Sequence, residues 1–485
     1  MPLVAGIDSS TQSTKVELRD VATGVVIGTG RSAHTATTPP LSEQEPSMWW
    51  GALVQAMGQA VASADHPNPG GDIVALSVAG QQHGLVVLDR NGEVIRPAKL
   101  WNDTQSAPDA DRLLEKLSAA GWAQACGSIP VAAFTITKLA WLRRCEPDSF
   151  ARVAHVLLPH DWLNFKLTGN FVTDRGDASG TGYWSAAENE YRLDLLSLVD
   201  DQREWSSALP EVRGPREMAG VLSHDAATEL GLEAGTPVAI GTGDNMAGAL
   251  GLGLNAGDVA ISIGTSGTVF TTCDRATHDP TGAVAGFADA TGIFLPLVCT
   301  LNASLVTDSI RGLLLLDHAE FDELALSAPS GSGGLSLVPY FAGERTPNRP
   351  DASGSLHGIR TDVNRENLAR SAFEGVVCGL LDGLDALATA GVATDSGRLV
   401  LIGGGAQSTA YRQVLATLAE REIIVPDDSE IVSAGAGVQA AALATRSDVA
   451  EISRTWDLGH GALVQPESCD VTAQEVRAGY ASARG

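Results

Sequence analysis

Val4-Ala5-Gly6-Ile7-Asp8-Ser9-Ser10-Thr11-Gln12-Ser13-Thr14-Lys15 reads as a β-rich run, a turn of small hydroxyl residues and a second run. The same plan returns in Val259-Ala260-Ile261-Ser262-Ile263-Gly264-Thr265-Ser266-Gly267-Thr268-Val269-Phe270, with Thr11 opposite Thr265 and Thr14 opposite Thr268. Small residues let backbone N–H groups approach an anion closely, and hydroxyls add donors. A single Gly/Ser/Thr turn between two β runs is also what an ordinary hairpin needs. Its recurrence at domain-scale spacing points instead to a phosphate chain gripped from both sides of a cleft. Asp8 in the first copy is Ser262 in the second. An acid beside a phosphate is useful mainly when a metal ion lies between them.

A chain of 485 residues is too long for one core, so two or three domains are expected. Charged residues sum to a formal −26, from 32 basic and 58 acidic side chains, which argues against nucleic acid or an anionic membrane as partner. An anionic ligand must then be held by local donors or a metal. The six cysteines are scattered, with no CxxC pair and no zinc spacing, and read as small buried side chains of a reducing compartment. The N-terminus runs straight into a strand-like stretch without a basic leader, and no run approaches the ~18 apolar residues of a membrane span. A cytoplasmic protein is expected.

Eight of the nine tryptophans precede residue 206, so the two halves are built differently around their similar loops. In the first half Val4–Asp8 and Thr14–Leu18 read as a hairpin, Ile73–Ala79 and Leu85–Asp89 as strands, and Pro46–Ala62 as a helix. The Gly-rich stretch 247–258 reads as a boundary, giving domains 1–246 and 255–446. Beyond it, strands are expected at 259–271 and 397–402, with helices over Arg365–Ala390 and Thr409–Glu420. Residues 329–350 read as irregular, and 447–485 as a polar, weakly patterned tail to which no role is assigned.

Further segments carry candidate chemistry. In Arg398-Leu399-Val400-Leu401-Ile402-Gly403-Gly404-Gly405-Ala406-Gln407-Ser408 a β run enters a triple glycine and then a helix. Bare backbone there suits a flat ring or an anion, and it equally suits a tight strand–helix turn. Ile240-Gly241-Thr242-Gly243-Asp244-Asn245 sets an acid at such a turn. Asp244 reads as a general base with room for substrate, or as the cap of the following helix. Gln82-His83 supply an amide and an imidazole for polyol hydroxyls, and Trp101-Asn102-Asp103 an aromatic face beside polar groups; structural roles are the alternative for both.

Taken in this order, the segments resemble the FGGY carbohydrate kinases of the actin-like ATPase superfamily over roughly residues 3–445. The most specific match is Gly354-Ser355-Leu356-His357-Gly358-Ile359 followed by Asn367-Leu368 and Ser371-Ala372-Phe373-Glu374. Pro339-Tyr340-Phe341-Ala342-Gly343-Glu344-Arg345-Thr346-Pro347 is also similar. In the N-terminal signature Thr135, Lys138, Leu139, Trp141 and Leu142 fit, while Ala133 and Cys145 do not.

The resemblance implies an α/β fold of two ribonuclease-H-like domains around a central cleft, with ATP and Mg²⁺ as cofactors and a sugar as substrate. Asp244 would be the catalytic base, and Asp8 with Asp244 would hold the metal. Ser10, Thr11, Gln12 and Ser13 would face the ATP phosphates from one side and Gly264, Thr265 and Ser266 from the other. Gly404, Gly405 and Ser408 would lie against adenosine. Gln82, His83, Trp101, Asp103, Asp244 and Asn245 would bind the sugar. The likeness is nearest to members that phosphorylate D-xylulose at O5, which usually carry Met-His where this chain has Gln82-His83. Ribulose, gluconate or a deoxyketose are alternative substrates. A non-catalytic actin-like binding module and a chaperone-type ATPase are the rivals from other classes. Relatives of this kind are often homodimers.

Overall fold

The computed structural model describes all 485 residues. Strands β1 (Leu3–Ser9) and β2 (Ser13–Asp20) pair antiparallel from Leu3↔Asp20 to Ser9↔Thr14, so the first loop is a hairpin turn. The meander continues into β3 (Val26–Ala33), and β4 (Ile73–Gly80) returns parallel to β1. Outside β4 lie β5 (Met218–Val221) and β6 (Pro237–Ala239), and the sheet order is β5-β6-β4-β1-β2-β3. A two-residue strand, β7 (Thr242–Gly243), also pairs parallel with β4.

The second sheet repeats this plan. Strands β8 (Val259–Ile263) and β9 (Gly267–Thr271) form the second hairpin. β10 (Ala285–Ala288) and β11 (Phe294–Thr300) extend it antiparallel. On the other side β12 (Leu399–Ile402) and β13 (Ile423–Pro426) run parallel, and β14 (Gly461–Val464) closes the edge. The order is β10-β11-β9-β8-β12-β13-β14. Three antiparallel strands followed by two parallel ones therefore occur twice, and the repeated loop is the sequence mark of a repeated sheet. The expected pair of α/β domains is what the chain forms.

Helices supply the crossovers that parallel strands require. In α1 (Pro46–Ser63) Trp49, Leu53, Ala56, Met57 and Ala60 make one buried stripe at helical spacing, which covers β2 and β3. The helices that matter for the cleft are α2 (Pro159–Thr168), α3 (Asp244–Gly251), α4 (Arg365–Thr389), α5 (Thr409–Ala419) and α6 (Ile431–Thr445). The Gly-rich stretch read as a boundary thus opens as a helix, α3, and only the residues after Gly251 connect the halves. Its small residues serve packing: α3 lies against α6, which belongs to the second half of the chain yet packs on β1 and β4 of the first sheet.

The tail is likewise ordered. It forms a helix over Val449–Thr455, the edge strand β14, and α7 (Ala473–Arg484), which packs against α4 and α5. Trp456 Nε1 donates to the Val21 carbonyl at 3.1 Å, tying the tail to the first sheet. Its patterning is weak because a short edge strand and a half-covered helix bury few side chains each. Leu85–Asp89 shortens to Val86–Leu88 and pairs with His155–Leu157 outside the main sheet.

The α3–α6 contact is made by glycine. A Cβ on Gly435 would stand 1.9 Å from the Ala247 carbonyl oxygen, and one on Gly251 equally close to that of Ile431. Gly→Ala in a free helix gains about 1 kcal/mol of propensity. Forcing two packed backbones apart costs about 1–3 kcal/mol. Gly435→Ala is therefore expected to lower the urea midpoint of unfolding; a raised midpoint would mean that these helices do not touch.

Candidate active site

The site is built at the carboxyl ends of parallel strands, where open α/β sheets present their loops to ligands. Asp8 near the end of β1 stands in register with Ala79 of β4, and Thr242 of β7 is in register with the same residue from the other side. Asp8 and Asp244 are thus delivered to one edge by the strands that flank β4, with Asp244 opening α3. In the second sheet Ser262 of β8 is in register with Ile402 of β12, which brings the second hairpin turn beside the triple glycine. A cavity of about 470 Å³ lies between the sheets, lined by Asp8, Ser10, Lys15, Asp244 and Asn245 from the first and by Ser262, Gly403 and Gly404 from the second.

Asp8 is buried and Asp244 half-buried, and the charge of one is felt by the other. Burial pushes the Asp244 carboxyl up to about 7, and the charge of Asp8 adds to the rise. Burial likewise raises Asp8, to about 6, against the pull of Lys15. One oxygen of Asp244 accepts from Asn245 N at 2.8 Å and Nδ2 at 3.0 Å. Oδ1 of Asp8 is buried with no partner. Its other oxygen is 3.6 Å from Lys15 Nζ, which also binds Glu430 at 2.6 Å.

The remaining predicted residues divide. Asn245 Nδ2 donates to Gln82 Oε1 at 2.8 Å, so Gln82 joins Asp244 through one amide. His83 has a left-handed backbone (φ 65°) and its ring lies 5.0 Å from that of Phe134 and 5.5 Å from that of Phe287, a residue of the second half. Burial, then the charges of Lys138 and Arg345, lower its pKa to about 3, so the imidazole is neutral. Trp101 Nε1 donates to Thr11 Oγ1 at 2.9 Å, and that hydroxyl donates to Gln81 Oε1 at 3.1 Å. Ser10 N donates to Ser13 O and closes the first turn, and the side chain of Gln12 is exposed. In the second turn Gly264 N donates to Ser266 O, and Thr265 is exposed. A Cβ on Gly404 would meet open space, whereas one on Gly403 or Gly405 would strike Ile263.

Two of the predicted residues are engaged elsewhere. Asp103 is wholly buried and accepts from Ser42 N at 2.9 Å, Gln105 N at 3.0 Å and Lys99 Nζ at 3.0 Å, which fixes the loop that carries Trp101. Ser408 caps α5 by accepting from Tyr411 N and donates to Asp322 at 2.7 Å. Both have the residue type of a ligand contact, but a buried loop acid and a helix cap satisfy the same pattern.

Sequence reasoning passed over Lys15 and Phe287. The hairpin register Asp8↔Lys15 carried the signal for the first. Nothing in the sequence brings residue 287 to residue 83.

With this geometry in hand, comparison with known proteins is decisive. The model of the FGGY family of carbohydrate kinases, N-terminal domain, matches residues 3–251, and that of the C-terminal domain matches residues 259–444. This chain belongs to the FGGY family of carbohydrate kinases. It is 45% identical to the xylulose kinase of Streptomyces rubiginosus, covering 99% of this chain and 96% of that one. It is 36% identical to the xylulose kinase of Haemophilus influenzae, covering 90% and 89%. The crystal structure of the xylulose kinase from Bifidobacterium adolescentis is similar with a TM-score of 0.86 at 40% identity, covering 100% of this chain and 99% of that one. As a carbohydrate kinase it takes ATP and a sugar as substrates. No helix is long and apolar enough to cross a membrane.

A carboxyl whose folded pKa lies above its unfolded value favours the protonated fold, so stability falls as pH rises from about 4 through the folded value. At pH 8 the ionised Asp244 therefore destabilises this kinase. Asp244→Asn is expected to raise the apparent Tm at pH 8 by roughly 2–4 °C, the shift that ~1 kcal/mol gives a domain of 150–250 residues. The gain should vanish near pH 4, and thermal scans at the two pH values check it.

Proposed function

We propose that this kinase transfers the γ-phosphoryl group of ATP to O5 of D-xylulose. The observation that carries the reading is Asp244: a half-buried carboxyl lining the interdomain cavity, pushed up to about 7, and joined through Asn245 to Gln82. A base needs a pKa near the working pH to take a proton and then lose it. The 45% identity to a xylulose kinase over nearly the full length supports the choice of sugar. Retention of His83, a neutral imidazole that can hydrogen-bond hydroxyls in either sense, supports it further.

The sugar lies over Gln82 and His83, with the Trp101 face beside it and Asn245 steadying both Gln82 and Asp244. Its O5 hydroxyl attacks the γ-phosphorus in line. The O5–P bond forms, the bond from phosphorus to the β,γ-bridging oxygen breaks, ADP leaves with that electron pair, and Asp244 takes the O5 proton. The turn of Ser10, Thr11, Gln12 and Ser13 and the turn of Gly264, Thr265 and Ser266 present N–H and hydroxyl donors to the phosphates from opposite sides. Lys15 adds a cation on the first side. Gly404, and beside it Gly405, leave bare backbone against adenosine.

The donor set at the floor of the cavity fits a divalent cation. Asp8 has an unpartnered buried oxygen, and its charge raises the pKa of Asp244, so a positive charge beside them is favourable. Asp8 and Asp244 would hold Mg²⁺, which when bound offsets charge on the phosphoryl oxygens. Work within the reducing cytoplasm, and a homodimeric state, complete the reading.

The test is ADP release on D-xylulose, D-ribulose, L-ribulose, gluconate and glycerol in turn. Preference for D-xylulose is expected, with Asp244→Ala lowering turnover by roughly 10²–10⁴-fold, the range for loss of a general base. Preference for another sugar would overturn the substrate. An Asp244→Ala enzyme as fast as its parent would overturn the mechanism.

A further inference from the structure

Behind the cleft, the short segment that leads from β6 to Asp244 is gripped residue by residue. The Ile240 carbonyl accepts from His160 Nε2 at 3.0 Å and from Asn164 Nδ2 at 2.8 Å, both on α2. The Gly241 carbonyl accepts from Gln439 Nε2 of α6 at 3.2 Å, and Gln439 Oε1 accepts from Ser77 on β4. Thr242 Oγ1 donates to Asp174 at 2.7 Å. After Gly243 comes Asp244 itself. Gly241 is in the left-handed region (φ 75°), so this backbone has little stiffness of its own.

His160 stands out in that set. Its ring is fully buried, and Nδ1 faces Asp177 Oδ2 and Asp161 Oδ1, each at 3.1 Å. Nε2 faces a carbonyl, which can only accept. A neutral imidazole has one N–H, but here both ring nitrogens meet acceptors. Burial raises the Asp177 carboxyl to about 7, so above that pH, with Asp177 ionised, the geometry calls for an imidazolium. Burial opposes that charge, yet the negative charges of Asp161 and Asp177, and the hydrogen bond that Nδ1 donates to Asp177, hold His160 well above its ordinary range. Asp174 lies within the same field, and Tyr183 faces Asp161 and Asp177. A charge-assisted donor grips a carbonyl more firmly than a neutral one.

We propose that the His160 imidazolium, held by Asp177, is a positioning group: by clamping the Ile240 carbonyl it sets where the Asp244 carboxylate stands. It touches neither substrate, and the inference rests on reading Asp244 as the base. Misplacing a reacting group by an ångström costs up to roughly 10²-fold in rate. A neutral amide at position 160 can donate toward Ile240 or toward Asp177 but not to both.

Full-length His160→Gln and Asp177→Asn test this, the second removing the counter-charge while keeping the shape of its side chain. In ¹⁵N-histidine spectra of the parent at about pH 8, the signal lost in His160→Gln is expected to carry protons on both nitrogens. Each variant should lose about 10- to 100-fold in kcat on D-xylulose. The sugar KM and the Kd for Mg·ADP should stay within about a factor of two, the split expected when only the transition state is affected. Asp244→Ala, assayed alongside, keeps the two ideas apart. If it retains activity, the base assignment falls; if it is inactive while folded variants at 160 and 177 turn over like the parent, the clamp falls. A singly protonated His160, or a KM that rises with kcat unchanged, also overturns the clamp. Should His160→Gln not fold, the kinetics of Asp177→Asn decide alone.

Discussion

The structure depends on how closely α6 can approach β1 and α3. Backbone meets backbone at Gly6 against Ser433, Gly251 against Ile431 and Gly435 against Ala247, with no room for a side chain at any of the three glycines. This contact joins the second half of the chain to the first sheet. It also runs along the strand that carries Asp8 and the helix that begins with Asp244. The acids are therefore placed by a packed, dry contact. The apolar core is continuous beneath it, since Val4, Ala75, Met246 and Leu250 share one cluster with Ala260, Val400 and Val438.

That placement has an electrostatic cost. Two carboxylates are taken out of water at the bottom of a cleft in a chain of net charge −26. A fold selected for stability alone would neutralise them. Here one oxygen is left without a partner, and the neighbouring cation, Lys15, is shared with Glu430 from the loop that leads into α6. Lys15–Glu430 and the Arg19–Asp428 pair cross from the first hairpin to that loop. The same charges that unsettle the site are those a metal–phosphate ligand would answer.

Much of this was legible from residues alone. The hairpin of β1 and β2, the strand at Ile73, the long helix from Arg365 and the strand before Gly403 follow from period-two and helical patterning with turn residues at their ends. Asp8, Asp244 and the two hydroxyl turns were marked by residue type, because anion binding needs small residues and donors. Other readings gained a structural role that the sequence did not separate from the chemical one. Residues 247–258 read as a boundary, and that stretch opens as a helix because glycine and alanine mark both loops and close helix contacts. Asp103 and Ser408 looked like ligand contacts because a structural acceptor and a chemical one use the same atoms.

What the sequence determined by itself was the set of local conformations and the repeat: two hairpin turns, each at the head of a sheet of one topology. These are short-range consequences of side-chain alternation and backbone freedom. Only the tertiary structure decided which residues share a space. Phe287 meets His83, Gln439 holds Gly241, and His160 becomes a cation because Asp177 and Ile240 converge on it. A pKa, a clamp and a cleft are properties of neighbours far apart in the chain, and no local pattern encodes them.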